Sequence, residues 1–197
     1  MTAKTRVPAG AAVLQEDVTE AIAAAAFAEL AEVGYGRLSI EAVARRAGVG
    51  KTAVYRRWPA KSAMVIDLVT QVAVRAADTP DTGTLHGDVV AYLEITRDAL
   101  DHPLVARIAP DLLAEAHRNP ELAEALATGV GGARRERVAA ILHRAVARGE
   151  LPADTDVALG LDLLAGPLYW RTAIVREPTG PDYVRRLADK VVAALAA

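Results

Sequence analysis

The 197-residue chain has no cysteine, which excludes disulfide frameworks, thiolate zinc sites and cysteine nucleophiles. Aromatic residues make up only 4%, and the β-branched and aromatic clusters that mark strands are missing. The longest apolar run is the alanine-rich Ala21–Ala28, far short of the roughly 20 residues that span a bilayer. Met1–Val13 carries Lys4 and Arg6 with no hydrophobic run behind them, which does not fit a secretory signal. The expectation is a soluble, cytoplasmic protein without a membrane partner. Net charge is small too: 23 Lys+Arg against 25 Asp+Glu leave −2, which argues against a generic polyanion binder. Catalytic signatures are also lacking. His86, His102, His117 and His143 are scattered, with no partner at i+3 or i+4 that would make a metal or acid/base pair on one helix face, although Glu115 lies near His117. No G-x-S-x-G, H-E-x-x-H, P-loop or G-x-G-x-x-G occurs. No catalytic residue, metal site or cofactor is therefore expected.

What the chain does have is alanine, 43 residues of it, within a hydrophobic fraction of 52%. Alanine is the strongest helix former, and apolar residues recur at helical spacing, so the expected class is all-α with about nine helices. At 20.7 kDa there is room for one large domain or two small ones.

The small net charge hides a segregation. Residues 37–62 hold seven basic side chains (Arg37, Arg45, Arg46, Lys51, Arg56, Arg57, Lys61) against Glu41, a balance of +6. Residues 63–197 hold 14 basic and 19 acidic side chains, a balance of −5. Such a block suits a polyanion at one end of the molecule, although a solvated charged face would look the same.

Local signals place the elements. Asp17 and Glu20 suggest a capping box opening the first helix, with Val18, Ile22, Ala26, Leu30 and Val33 facing inward and Gly34 ending it. Ser39 caps a short helix over Ile40–Ala47, Gly48-Val49-Gly50 makes a tight turn, and a third helix runs from Lys51 to about Arg57, before Pro59. Longer helices follow at about 62–77, 88–100, 104–117, 120–148, 156–176 and 182–195, with a loop over 78–87. Pro110 is expected to break or bend its helix, and Pro167 to kink the eighth. Gly129, Gly131 and Gly132 read equally as a ligand approach, a kink or a break between two helices.

Two short helices around a glycine turn in a basic block have the form of a helix-turn-helix. On a helical wheel Lys51, Thr52, Tyr55 and Arg56 share an arc of about 140°, opposite Ala53, Val54 and Trp58. One side would bury and the other would present donors to a major groove. An ordinary amphipathic helix of a bundle shows the same pattern, and that reading stays open on the wheel alone.

The run Ile22–Lys61 closely resembles the N-terminal domain of TetR/AcrR-family transcriptional repressors. The shared landmarks are the small-residue first helix, Gly34-Tyr35, Ser39-Ile40, Ala44 with Ala47-Gly48-Val49, Val54-Tyr55 and Trp58-Pro59-Ala60-Lys61. Arg144–Arg171 looks like the matching segment of one ligand-binding subfamily. Two departures stand out: Gly50 and Ala60 occupy positions where relatives commonly carry Ser.

The resemblance implies a regulator that binds double-stranded DNA at an inverted repeat as a homodimer and is released by a small, largely apolar effector. A helical small-molecule-binding protein without specific DNA activity is the alternative. The implied arrangement is a disordered arm over 1–13, a helix-turn-helix domain over 14–61 and a ligand-binding and dimerisation domain over 62–197. Thr52 and Arg56 are the candidates for base edges and Lys51 for a base or a phosphate. Tyr55, Lys61, Ser39 and Arg37 are the candidates for phosphates. Arg45, Arg46 and Arg57 read equally as contacts or as internally paired groups, and Trp58 reads as core. The dimer seam implied for the last two helices takes Leu161, Leu164 and Leu168 with Val184, Leu187, Val191 and Leu195, with Gly160 and Ala165 allowing close approach. The effector pocket is expected among Tyr92, Thr96, His117, Tyr169 and Trp170.

Overall fold

Alanine-rich amphipathic segments become nine α-helices, with no strand, among the described residues. The computed structural model describes the backbone of residues 9–75 and 79–197 and the side chains of 17–73 and 79–197. The chain divides into two compact units, one ending at Leu68 and one beginning at Val69, rather than at the expected boundary after Lys61.

In the first unit α1 spans Ala9–Arg37, α2 Ile40–Arg46 and α3 Lys51–Tyr55, and α4 (Lys61–Arg75) begins there. Alanine propensity carries α1 past Asp17, which lies inside the helix and not at its cap. The expected arm therefore overlaps α1 from Ala9 onward, and its residues 1–8 lie outside the described residues. Gly34 interrupts α1 with φ of 76°, a left-handed conformation that glycine adopts without a Cβ clash. Ile22, Ala26 and Leu30 of α1, Val43 and Ala44 of α2, Val54 of α3, and Met64, Val65 and Leu68 of α4 are buried and supply the core of this unit. Trp58 joins it and donates from Nε1 to Asp67 at 2.8 Å, so it is a core residue.

The second unit contains α5 (Leu85–Asp101), α6 (Pro103–Ala116), α7 (Pro120–Ala147), α8 (Val157–Tyr169) and α9 (Pro181–Leu195). The start of α5 precedes expectation because Thr84 caps it, its hydroxyl accepting from the Gly87 N–H at 3.1 Å. α6 continues through Pro110 as one helix. α7 is also continuous through its three glycines and stops at Gly149, whose φ is 75°. A Cβ on Gly129 would stand 2.3 Å from Thr70 Oγ1, so that glycine serves a close approach to α4. Pro167 has no N–H for the Leu163 carbonyl, and three residues later α8 widens into a π turn over Trp170–Val175. The turn ends at Arg176 in a left-handed conformation, φ 59°.

Leu85, Leu93, Ile141, Leu142, Leu164 and Leu168 anchor the core of this unit. One fully buried charge sits at its edge: Asp88 accepts from the Thr82 N–H at 2.6 Å and hydroxyl at 2.9 Å and faces Arg144 and Arg148. No described helix is long and apolar enough to cross a membrane. No group of three metal-ligating side chains occurs among the described residues.

Candidate nucleic-acid interface

The candidate interface lies on α2 and α3. Ser39 Oγ accepts from the Ala42 N–H at 3.1 Å and fixes the start of α2. Gly48, at φ 68°, turns the chain, and the Val49 N–H closes the turn on the Ala44 carbonyl at 3.0 Å. Val54 is fully buried, which sets the rotation of α3. Lys51, Thr52 and Arg56 therefore project into solvent on the opposite side, with no partner among the described residues. Tyr55, 43% exposed, stands beside them.

The seven basic side chains of the block differ in what they have left to offer. Arg46 pairs with Glu29 at 2.8 Å and with Glu32, and both carboxylates hold its guanidinium above its ordinary range. Arg57 donates to Thr19 Oγ1 at 3.0 Å and to the Ala53 carbonyl at 3.1 Å. These two resolve toward internal pairing, while Arg45 stays exposed. Lys61 does not project freely: its ammonium donates to the carbonyls of Tyr35 at 2.9 Å and Gly36 at 3.1 Å and lies 4.7 Å from the centre of the Tyr35 ring. An ammonium has three donors, so one remains. Arg37 spends Nε on the Val33 carbonyl at 3.1 Å and keeps its remaining N–H groups. The Tyr55 hydroxyl donates to Glu41 at 3.1 Å, and that bond raises the phenol above its usual range. The wheel of α3 alone does not show the role of Glu41; the count of one acid among seven basic residues is the available signal.

In the second unit the structure redistributes the expected sites. Tyr92 and Thr96 are buried on α5, and Tyr169 packs half-buried against the same core. His117 caps the C-terminal end of α6 at the surface, and Trp170 is 61% exposed, so neither lies on an internal wall. A regular wheel of α8 already sets Trp170 about 200° from buried Leu168, and the π turn begins at that outward residue. A cleft of about 430 Å³ lies between Arg97 and Asp101 of α5 and Glu177–Pro181, and none of the five expected residues lines it.

The residues expected at a dimer seam differ in burial. Leu164, Leu168, Val184, Val191 and Leu195 are buried within the one chain, and Leu161 and Leu187 pack on that core. Gly160 makes its close approach to Leu142 of α7, whose Cδ1 would stand 2.5 Å from an added Cβ. An apolar stripe does not say whether it faces its own chain or a partner. α8 is apolar on a second face, where Leu159 is 55% exposed, followed by Trp170 three turns on and Ile174, 54% exposed.

Comparison with known proteins agrees with this division. Residues 22–68 match the family described as bacterial regulatory proteins, tetR family, and residues 79–191 match the tetracyclin repressor-like C-terminal domain. Rv1556 of Mycobacterium tuberculosis strain H37Rv, described as an uncharacterized HTH-type transcriptional regulator, is 35% identical over 164 residues, 83% of this chain and 80% of its own. A DNA-binding transcriptional repressor TetR of Mycobacteroides abscessus is 30% identical over 186 residues, 91% of this chain and 94% of its own. The crystal structure of the TetR family transcription regulator SCO0332 superposes with a TM-score of 0.72 at 29% identity, covering 92% of this chain and 100% of that one. These relatives are regulators of transcription and not enzymes, and with both domain models matched the chain belongs to the TetR family of bacterial transcriptional regulators.

Proposed function

We propose that this regulator is a dimeric repressor that reads an inverted-repeat operator with two copies of α3 and releases it when a small, largely apolar molecule binds the second unit. The reading rests on Lys51, Thr52 and Arg56, which stand exposed and unpaired on one side of a helix whose other side is buried. Thr52 and Arg56 read base edges, Arg56 by the bidentate grip on guanine that a guanidinium permits. Lys51 reaches a base or a phosphate. Arg37, the last free donor of Lys61, the Ser39 hydroxyl proton and Tyr55 meet phosphates. A single head of this size buries too little to be specific, so the second copy supplies the symmetric half-site.

Leu159, Trp170 and Ile174 form the face by which α8 meets α8 of the partner, replacing the buried leucines as the seam. Tyr92, Thr96 and Tyr169 are the effector candidates, since they place hydroxyl groups in an apolar surround. Repression is favoured over activation by the Mycobacteroides abscessus relative, itself described as a repressor. The site of action is the cytoplasm. Selection of bound duplexes from random DNA tests the whole reading: a two-fold symmetric motif is expected, with affinity that falls steeply as salt rises. Selected duplexes that bind no better than random ones would overturn it in favour of a binding protein without specific DNA activity.

A further inference from the structure

The DNA-reading face contains one acid, and its position is specific. Glu41 stands in the first turn of α2 and takes the hydroxyl proton of Tyr55 on α3 at 3.1 Å. Tyr55 is 43% exposed beside Lys51, Thr52 and Arg56, so its hydroxyl faces whatever polyanion those side chains receive. A phenol has a single proton to give. A phosphate oxygen approaching Tyr55 must therefore take the donor that the carboxylate already holds, and must do so next to a negative charge.

We infer that Glu41 is an internal competitor for the Tyr55 phosphate site, lowering affinity for DNA backbone of any sequence and so raising the share of binding that base contacts must supply. The inference rests on the DNA-binding reading above and names a residue that sets its affinity for the backbone. Two further features support it. The nearby acids Glu29 and Glu32 are already committed, since both pair with Arg46. Glu41 has no cationic partner among the described residues, so its charge is left open to the face. The hydroxyl bond is also strong enough to raise the phenol above its ordinary range.

The competition has a signature that simple removal of an acid lacks. If phosphate replaces Glu41 as the acceptor, Tyr55 contributes little net affinity while Glu41 is present, because one hydrogen bond is exchanged for another. With Glu41→Gln the charge is gone and the neutral acceptor is weaker, so the phosphate bond becomes a gain.

The test is a double-mutant cycle on the full-length chain with E41Q, Y55F and the double variant, titrated with a selected operator and with a random duplex of equal length. A hydroxyl freed to donate to a charged phosphate makes a bond strong enough for E41Q to tighten both duplexes by about fivefold per half-site. The random duplex should gain at least as much as the operator, so the ratio of the two affinities falls or stays level. Y55F alone should change affinity by less than about twofold, whereas in the E41Q background it should remove most of the gain. Ultraviolet titration without DNA should show Tyr55 ionising at lower pH in E41Q. An equal gain from E41Q with and without the tyrosine hydroxyl would overturn the inference, as would no gain at all. Either result leaves the regulator reading intact if the wild-type chain still prefers its operator. If the wild-type chain binds no duplex, both fall.

Discussion

The Asp88 carboxylate, wholly shielded from solvent, lies 3.4 Å from the Arg148 guanidinium and 3.5 Å from that of Arg144. Burial pushes this carboxyl up, but the Thr82 N–H and hydroxyl and the two arginines outweigh it and hold the group below the usual carboxylate range. Arg148 is fixed in turn by Glu150, whose other oxygen accepts from the Leu85 N–H. The network ties residues 80–88 to the C-terminal end of α7. A carboxyl depressed in the folded state stabilises above its unfolded pKa, and that stability is lost as pH falls through the folded value. The second unit should thus hold its Asp88 contribution from neutral pH to about pH 4 and lose it below. Asp88→Asn should cost about 3 kcal/mol at pH 7, because two guanidinium groups lose their shared counter-charge. The variant should also show a flatter acid limb. Urea midpoints at pH 7 and pH 3 check both statements, and parallel acid limbs would assign the loss to other carboxylates.

The glycines of α7 divide into two kinds. Gly131 and Gly132 meet nothing closer than 3.7 Å at an added Cβ, whereas Gly129 meets Thr70 Oγ1 at 2.3 Å. Gly131→Ala and Gly132→Ala should each stabilise the chain, by up to about 1 kcal/mol of helix propensity. Gly129→Ala should destabilise it despite the same propensity gain, and Thr70→Ala should rescue that loss. Thermal melts of the four proteins decide the matter. A stabilising Gly129→Ala would mean that the threonine swings aside at little cost.

Local chemistry made the first unit legible. Ser39, Gly48 and Pro59 each signal within a few residues, so the two short helices, their turn and the exposed Lys51, Thr52 and Arg56 followed from the chain, while the family resemblance identified them as a helix-turn-helix. The state of the arginines did not follow. Arg46 is neutralised by Glu29 and Glu32, and Arg57 is tied to Thr19, through pairings that exist only once α1 folds against α2 and α3. In the second unit helical spacing located α8 and α9 but could not say which of two apolar faces turned inward.

Among the cations of the DNA face, Arg56 and Lys51 should separate by readout. Arg56→Ala should cost roughly 1–3 kcal/mol per half-site and relax preference at one symmetric base position. Lys51→Ala, if its ammonium sits on a phosphate, should weaken operator and random duplexes alike. It should also flatten the dependence of log affinity on log salt by about 0.9 for each phosphate no longer neutralised, so nearly two for a symmetric dimer. Arg46→Ala should leave the salt slope unchanged, because Glu29 and Glu32 already hold that guanidinium. Binding isotherms at several salt concentrations distinguish the three outcomes. A flattened slope in Arg46→Ala would show that DNA draws the arginine away from its carboxylates.

The two faces of α8 make opposite predictions for one kind of substitution. Leu164 has no exposed surface and belongs to the core of its own chain, so Leu164→Glu buries an unpaired carboxylate and should unfold the second unit. Leu159 is 55% exposed, so Leu159→Glu leaves the fold intact and places like charges across the proposed two-fold seam. That variant should give a folded monomer with native helical content and operator affinity reduced by orders of magnitude. Trp170, on the same face, should report assembly directly. In a Trp58→Phe background its emission should shift to longer wavelength on dilution, as the indole passes from a protein interface to water. The shift should follow the same concentration dependence as the mass measured by light scattering. A dimer that persists in Leu159→Glu, with Trp170 emission constant across that range, would place the seam on another surface.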